Sequence, residues 1–290
     1  MSNPDPVSAP YGAFALSASD ESLRRIAMAL PTNPLRRGAE SIVRRLLMSG
    51  GRNIADIEVF PGQHARVHLK DNRCEKRVFA GSRTWDREER ATIRGVIAKN
   101  AQNREITFVD AGANAGLYTL SVLADADALH RNVKVLAIEP DPENRRRLEF
   151  NLNASNAQNV TVLPFALGAV EGKANLLQAS NNRGEVSVSQ TETSEGIIVP
   201  LRPLQAAIEE AGLGHVDIMK MDIEGFEETV LTAFFSEAPR AIWPEMILLE
   251  TRHEAAITEG AAGLCLKHGY QLARQMRQNA VLVLPNETSS

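Results

Sequence analysis

Four apolar segments of this sequence end in a carboxylate, and that repetition constrains the fold more than any other feature. ITFVD ends at Asp110, VKVLAIE at Glu139, VDIMKMD at Asp222 and MILLE at Glu250. Helical spacing follows three of them. Leu117, Leu120 and Leu123 come after the first, and Leu148 and Leu152 after the second, behind an Asp141-Pro142 start. Phe226, Val230, Leu231 and Phe234 come after Asp222. Asp141 is suited to cap a helix whose first position is proline. VTVLPFAL reads as a further strand, and YQLAR and AVLVL as a closing antiparallel pair. Near-continuous apolar strands alternating with helices imply an α/β fold, a mostly parallel sheet covered on both faces. In such sheets the ligand crevice lies outside the carboxyl ends of the strands. The four acids are therefore predicted to converge on one crevice.

This rhythm occupies residues 101–290, a Rossmann-like domain in which 168–203 reads as an inserted hairpin (ANLLQ, VSVSQ, GIIVPL). Residues 54–100 form a lead-in, with β-like pieces IEVF, ARVHL and KRVFA and then a helix over 85–99 that Asp86 could cap. Residues 1–53 form a helical extension. Its 21–52 stretch holds seven arginines against Glu21 and Glu40, with two short helices broken around Pro31 to Pro34. A basic amphipathic stretch suits a solvated helical cap, or an anionic surface or partner.

Composition sets limits. Lysine plus arginine is 32 against 36 acids, a net charge of −4, which argues against bulk nucleic-acid binding. No apolar run approaches the ~20 residues a bilayer span needs, and the opening residues lack a basic signal-peptide start. Cys74 and Cys265 are too few for a disulfide framework. A cytoplasmic location is the expectation. The oligomeric state is left open.

The turn Asp110-Ala-Gly112-Ala113-Asn114-Ala-Gly116 joins the first strand to its helix. Gly112 and Gly116 permit positive φ and close backbone approach. Asn114 stands where a dinucleotide fingerprint has its middle glycine, and Asp110 would repel a pyrophosphate. S-adenosylmethionine, with its sulfonium and ammonium groups, suits an acidic crevice better than a nicotinamide dinucleotide. Glu139, ahead of Pro140 and 27 residues after Gly112, is placed to accept hydrogen bonds from ribose hydroxyls.

FVDAGANAGLYTL, AIEPDPENRRRLEFNL, ALG and above all DIMKMDIEGFEETVL resemble the FkbM family of S-adenosylmethionine-dependent methyltransferases. NNRGEVS is similar to that family's N-x-G-x-x-S segment, while LRPL at 201–204 departs from relatives that carry an aspartate after the leucine. The resemblance covers roughly residues 75–255. It implies a class I methyltransferase sheet whose last strand is antiparallel, and O-methylation of a hydroxyl on a small metabolite or glycan. It implies that Asp110, Gly112, Ala113, Asn114 and Gly116 surround the methionine part of the cofactor. Glu139 and Pro140 would lie at the ribose, Ala166 and Leu167 at the adenine, and Asp222 and Glu224 at the methyl group and acceptor.

An alcohol needs help to become a nucleophile, and the candidate bases are Asp222, Glu224 and His253. Two acids close together raise one pKa toward neutrality. Lys220, inside an apolar strand, needs a partner, for which Asp222 or Glu224 is suited. Asp222, Glu224 and Glu250 could gather a divalent ion, but the expectation is a metal-free site. The alternatives are a nicotinamide-dependent oxidoreductase and a non-catalytic nucleotide-binding module.

Overall fold

The computed structural model describes residues 8–30, 34–100, 104–178, 186–189, 196–251 and 256–285. The chain begins with two helices, α1 (Ala18–Ala29) and α2 (Pro34–Met48), separated where the proline pair predicts a break. Ser17 caps α1 by accepting from the Asp20 N–H. A hairpin follows, β1 (Ile54–Phe60) paired antiparallel with β2 (Gln63–His68). It is pinned by a buried ion pair, Arg66 to Asp56 at 2.7 Å. Asp56 also accepts from the Gly12 and Phe14 amides, which ties the lead-in residues to the hairpin.

KRVFA is not a strand. It lies within α3 (Arg73–Gly81), which starts where Asn72 Oδ1 accepts from the amides of Cys74 and Glu75. Val78, Phe79 and Ala80 are all buried while Arg73, Lys76 and Arg77 are exposed, so α3 is amphipathic, but its three adjacent apolar residues mimic a strand. α4 (Arg87–Lys99) matches the helix expected over 85–99, yet Asp86 does not cap it. Asp86 has φ +40, and its carboxylate accepts from the Tyr118 hydroxyl at 3.2 Å instead.

The central sheet then builds as the sequence pattern requires. In chain order come β3 (Ile106–Ala111), α5 (Leu117–Ala128), β4 (Val133–Ile138), α6 (Pro142–Ala154) and β5 (Val160–Leu163). Asp141 caps α6 through the amides of Glu143 and Asn144. The expected insertion is more than a hairpin. β6 (Ala166–Leu167), β7 (Gly172–Gln178), β8 (Val186–Ser189) and β9 (Ile197–Arg202) form a separate sheet in the order β6-β9-β7-β8. Residues 179–185 of the NNRGEVS region lie outside those described. After it follow α7 (Leu204–Glu210), β10 (Ile218–Met221), α8 (Glu227–Glu237), β11 (Met246–Glu250), α9 (Gly260–Lys267), β12 (Gln271–Gln275) and β13 (Asn279–Val283).

The seven-stranded sheet runs β12-β13-β11-β10-β3-β4-β5, and β13 alone is antiparallel to its neighbours. This is the class I methyltransferase arrangement that the sequence predicts. Alternate strand residues face opposite layers. Ile106, Phe108 and Val135 join the α4–α6 side, and Val109, Ala111 and Leu136 join the α7–α9 side. Each fully buried valine, leucine, isoleucine or phenylalanine among them contributes roughly 1.5–3 kcal/mol relative to exposure. No helix among the described residues is long and apolar enough to cross a membrane.

Candidate active site

The turn after β3 is shaped by what stands beside it. Gly112 has φ +77, and a Cβ there would overlap the carbonyl oxygen of Asp222 at the end of β10. Glycine is required because two strand ends meet at this point. Gly116, φ +83, is likewise crowded by the Leu148 side chain. Asn114 sits between them at φ +52, a conformation that asparagine tolerates better than most residues. Its side-chain oxygen accepts from Asn72 Nδ2 at 2.7 Å and from the Ala115 amide at 2.8 Å.

Asn114 then meets the second strand end. Its amide donates to Glu139 Oε2 at 2.7 Å, and the Asp141 amide donates to Glu139 Oε1 at 2.9 Å. Each carboxylate oxygen keeps a further acceptor position. Burial raises the Glu139 pKa to about 7, against the pull of those two amides.

The third strand end carries the chemistry-bearing acids. β10 delivers Asp222 into a tight loop through Ile223, Glu224 and Gly225 before α8. Glu224 has φ +57, a strained conformation for a non-glycine residue. The loop is closed by Glu227, whose carboxylate accepts from the amides of Ile223 at 2.8 Å and Gly225 at 2.9 Å. Glu227 thus braces the loop from the first residue of α8, while no side chain caps that helix. One carboxylate oxygen each of Asp222, Glu224 and Glu250 lie within 4.8 Å of one another.

Lys220, buried in β10, donates to the Gly112 carbonyl at 3.1 Å and lies 3.4 Å from Asp222 and 3.9 Å from Asp110. Burial works against its charge, but Asp222, Asp110 and Glu250 outweigh burial and raise its pKa. The predicted pairing with Asp222 is therefore present.

Gly112, Ala113, Asn114, Glu139, Pro140, Ala166, Leu167, Asp222 and Glu224 all line one cavity. Asp110 and Gly116 do not reach its wall. Asp110 is fully buried beneath it, and its Oδ2 accepts from the Thr119 hydroxyl at 2.7 Å and amide at 3.1 Å. Asp110 thus acts on the site through Lys220 and the start of α5. His253 lies outside the described residues. Sequence reasoning missed Cys74, Trp85, Asp86 and Tyr118, which complete the wall from the lead-in and from α5. Tyr118 follows the glycine turn directly, but nothing in the sequence links residues 72–86 to the β3–α5 turn. Burial pushes the Cys74 thiol up to about 12, so it is neutral at physiological pH. The lining holds four carboxylates, Asp86, Glu139, Asp222 and Glu224, against one ammonium. Its remaining surface at Ile138, Phe165, Ala166 and Leu167 is apolar.

The family model of the FkbM methyltransferase domain matches residues 110–272, which span all four strand-end acids. No curated protein matches the chain. Among solved structures, it is similar to precorrin-6y C5,15-methyltransferase from Geobacter metallireducens GS-15. The two share 16% identity over 68% of this chain and 86% of that one, with a TM-score of 0.39. It is also similar to a METTL16 methyltransferase domain, at 12% identity over 92% of this chain and 88% of that one, with a TM-score of 0.45.

Proposed function

The chain belongs to the FkbM methyltransferase family, and from that premise we propose that it transfers a methyl group from S-adenosylmethionine to a hydroxyl oxygen on a small metabolite or glycan. One observation carries the reading. Carboxylates from the ends of β4 and β10 share a single cavity with apolar side chains in the same lining. A cationic nucleoside needs that combination: negative charge for its sulfonium and ammonium, acceptors for its ribose and apolar cover for its base.

The residues fit the cofactor. Glu139 has acceptor capacity left on both oxygens. Phe165, Ala166 and Leu167 offer the cover for adenine. The backbone of Gly112 and Ala113 forms a wall without bulk. When bound, S-adenosylmethionine supplies an electrophilic methyl group.

Two acids divide the remaining work. Asp222 is anchored by Lys220, which fixes it as a positioning group beside the cofactor. Glu224, on the strained tip of the loop, is the base. Glu224 would take the proton of the acceptor hydroxyl as the methyl group leaves sulfur for that oxygen, the sulfur keeping the bonding pair as a neutral thioether. Such a base contributes typically ~10²–10⁴-fold, and alignment of the acceptor supplies much of the rest.

The test is a transfer assay with methyl-labelled cofactor against hydroxylated metabolites and glycans. The label is expected on oxygen, released by ether-cleaving but not by amide-cleaving chemistry. Label on nitrogen or carbon would rule out O-methylation.

A further inference from the structure

The methyl-transfer site makes no use of the basic N-terminal helices. α1 and α2 pack on each other, with Ala27, Val43 and Leu47 turned into the core. Their outer faces are unusual. Ile26 is 62% exposed, Ile42 60% and Leu46 56%, and Leu30, where α1 ends, is exposed as well. Isolated exposed aliphatics need no explanation, but Ile42 and Leu46 lie one turn apart on the same face of α2, with Ile26 and Leu30 exposed on and just after the helix packed against it.

The same helix, α2, also borders a cleft. It is lined by Ser41, Arg44, Arg45, Met48, Ser49 and Lys76, from the last turns of α2 and the first turns of α3. The lining contains three cations and no carboxylate. Arg44 donates to the Ser41 hydroxyl at 3.3 Å, and among the described residues neither Arg44, Arg45 nor Lys76 forms an ion pair. Glu40, the acid of this helix, is turned inward, where it accepts from the Thr84 hydroxyl at 2.7 Å. Arg25 shares Glu21 with Arg24, at 2.9 and 2.8 Å, whereas no carboxylate lines the cleft. The carboxyl end of α2 adds roughly half a negative charge, which three cations outweigh.

We propose that this face docks the protein on a membrane surface containing anionic phospholipid. The headgroup phosphate enters the cleft between Arg44, Arg45 and Lys76, while Ile26, Leu30, Ile42 and Leu46 enter the interfacial layer. Charge complementarity selects this occupant. Cations beside exposed aliphatics match a lipid interface. α3 links the two regions, since Lys76 faces the cleft and Cys74 lines the methyl-transfer cavity. The proposal does not depend on the methyl-transfer reading.

The experiment is co-sedimentation of the full chain with vesicles of phosphatidylcholine alone or mixed with phosphatidylglycerol, at low and high salt. Binding is expected only to the phosphatidylglycerol vesicles and should weaken as salt rises. The R44Q/R45Q/K76Q variant should lower partitioning by roughly 100-fold or more. I42S/L46S, which changes no charge, should lower it as well while leaving the circular dichroism melt intact. Equal binding to both vesicle types, or binding that survives the triple substitution, would overturn the proposal. So would a dimer in solution that I42S/L46S dissolves without any vesicle binding, because that would assign the face to a second copy.

Discussion

The Nζ of Lys220 lies 3.4 Å from Oδ2 of Asp222, and this contact joins the buried interior of the sheet to the wall of the cavity. Beneath it, 3.9 Å from the same nitrogen, is Asp110, which has no exposed surface. One ammonium thus serves two carboxylates from adjacent strands. Lys220→Met leaves Asp110 buried without its cation, at a cost of roughly 3–5 kcal/mol. Chemical denaturation should show that loss. The Lys220→Met/Asp110→Asn double variant should recover part of it, since the uncompensated charge is then gone.

Gly112→Ala is expected to be as damaging for a different reason. The new methyl group meets the Asp222 carbonyl, and the residue must hold φ +77. Strain and displacement together cost about 3 kcal/mol. The denaturation midpoint should fall, and cofactor affinity should fall with it because the two strand ends are forced apart.

Glu139 gives the site a pH dependence. Burial raises its pKa from 4.5 to about 7, so the folded chain holds this proton more tightly than the unfolded chain. Its contribution to stability is therefore complete below the unfolded value and is lost as pH rises through about 7. Cofactor binding has the opposite sign, because ribose hydroxyls donate to the ionised form. Affinity measured by calorimetry should be greatest above pH 7 and fall by up to about tenfold per unit below it. Glu139→Gln should bind more weakly throughout and lose that slope.

Glu224→Gln should lower kcat by roughly 10²–10⁴-fold with little change in cofactor affinity. Asp222→Ala should lower both. Single-turnover and equilibrium binding measurements on the two variants separate the base from the positioning group.

Where the sequence was readable, one physical cause lay behind it. Strands buried on both faces must be apolar, so Asp110, Glu139, Asp222 and Glu250 stood out as chain-end punctuation, and three of the four lead directly to the cavity or its carboxylate cluster. Asp110 misled because a strand-end acid can turn inward, and only the position of Lys220 and Thr119 reveals that it does. α3 was hidden because its buried face closes on three consecutive apolar residues, Val78, Phe79 and Ala80, which imitate a strand. Its signal was Asn72 three residues before Glu75, a capping spacing that outweighs the run Val78-Phe79-Ala80. The walls at Trp85 and Asp86 were not legible, since their contact with Tyr118 spans more than 30 residues and follows no local pattern. Glu227 was hidden by its neighbours, because three acids in six residues look alike in sequence and only the bonds to the Ile223 and Gly225 amides single it out.

Isothermal titration of the unmodified chain with S-adenosylmethionine, S-adenosylhomocysteine and NADH tests the central claim most directly. Strand-end carboxylates sharing one cavity should bind the sulfonium cofactor and its demethylated product, and should not bind the dinucleotide. Heat from NADH, with none from either sulfur nucleoside, would contradict the account.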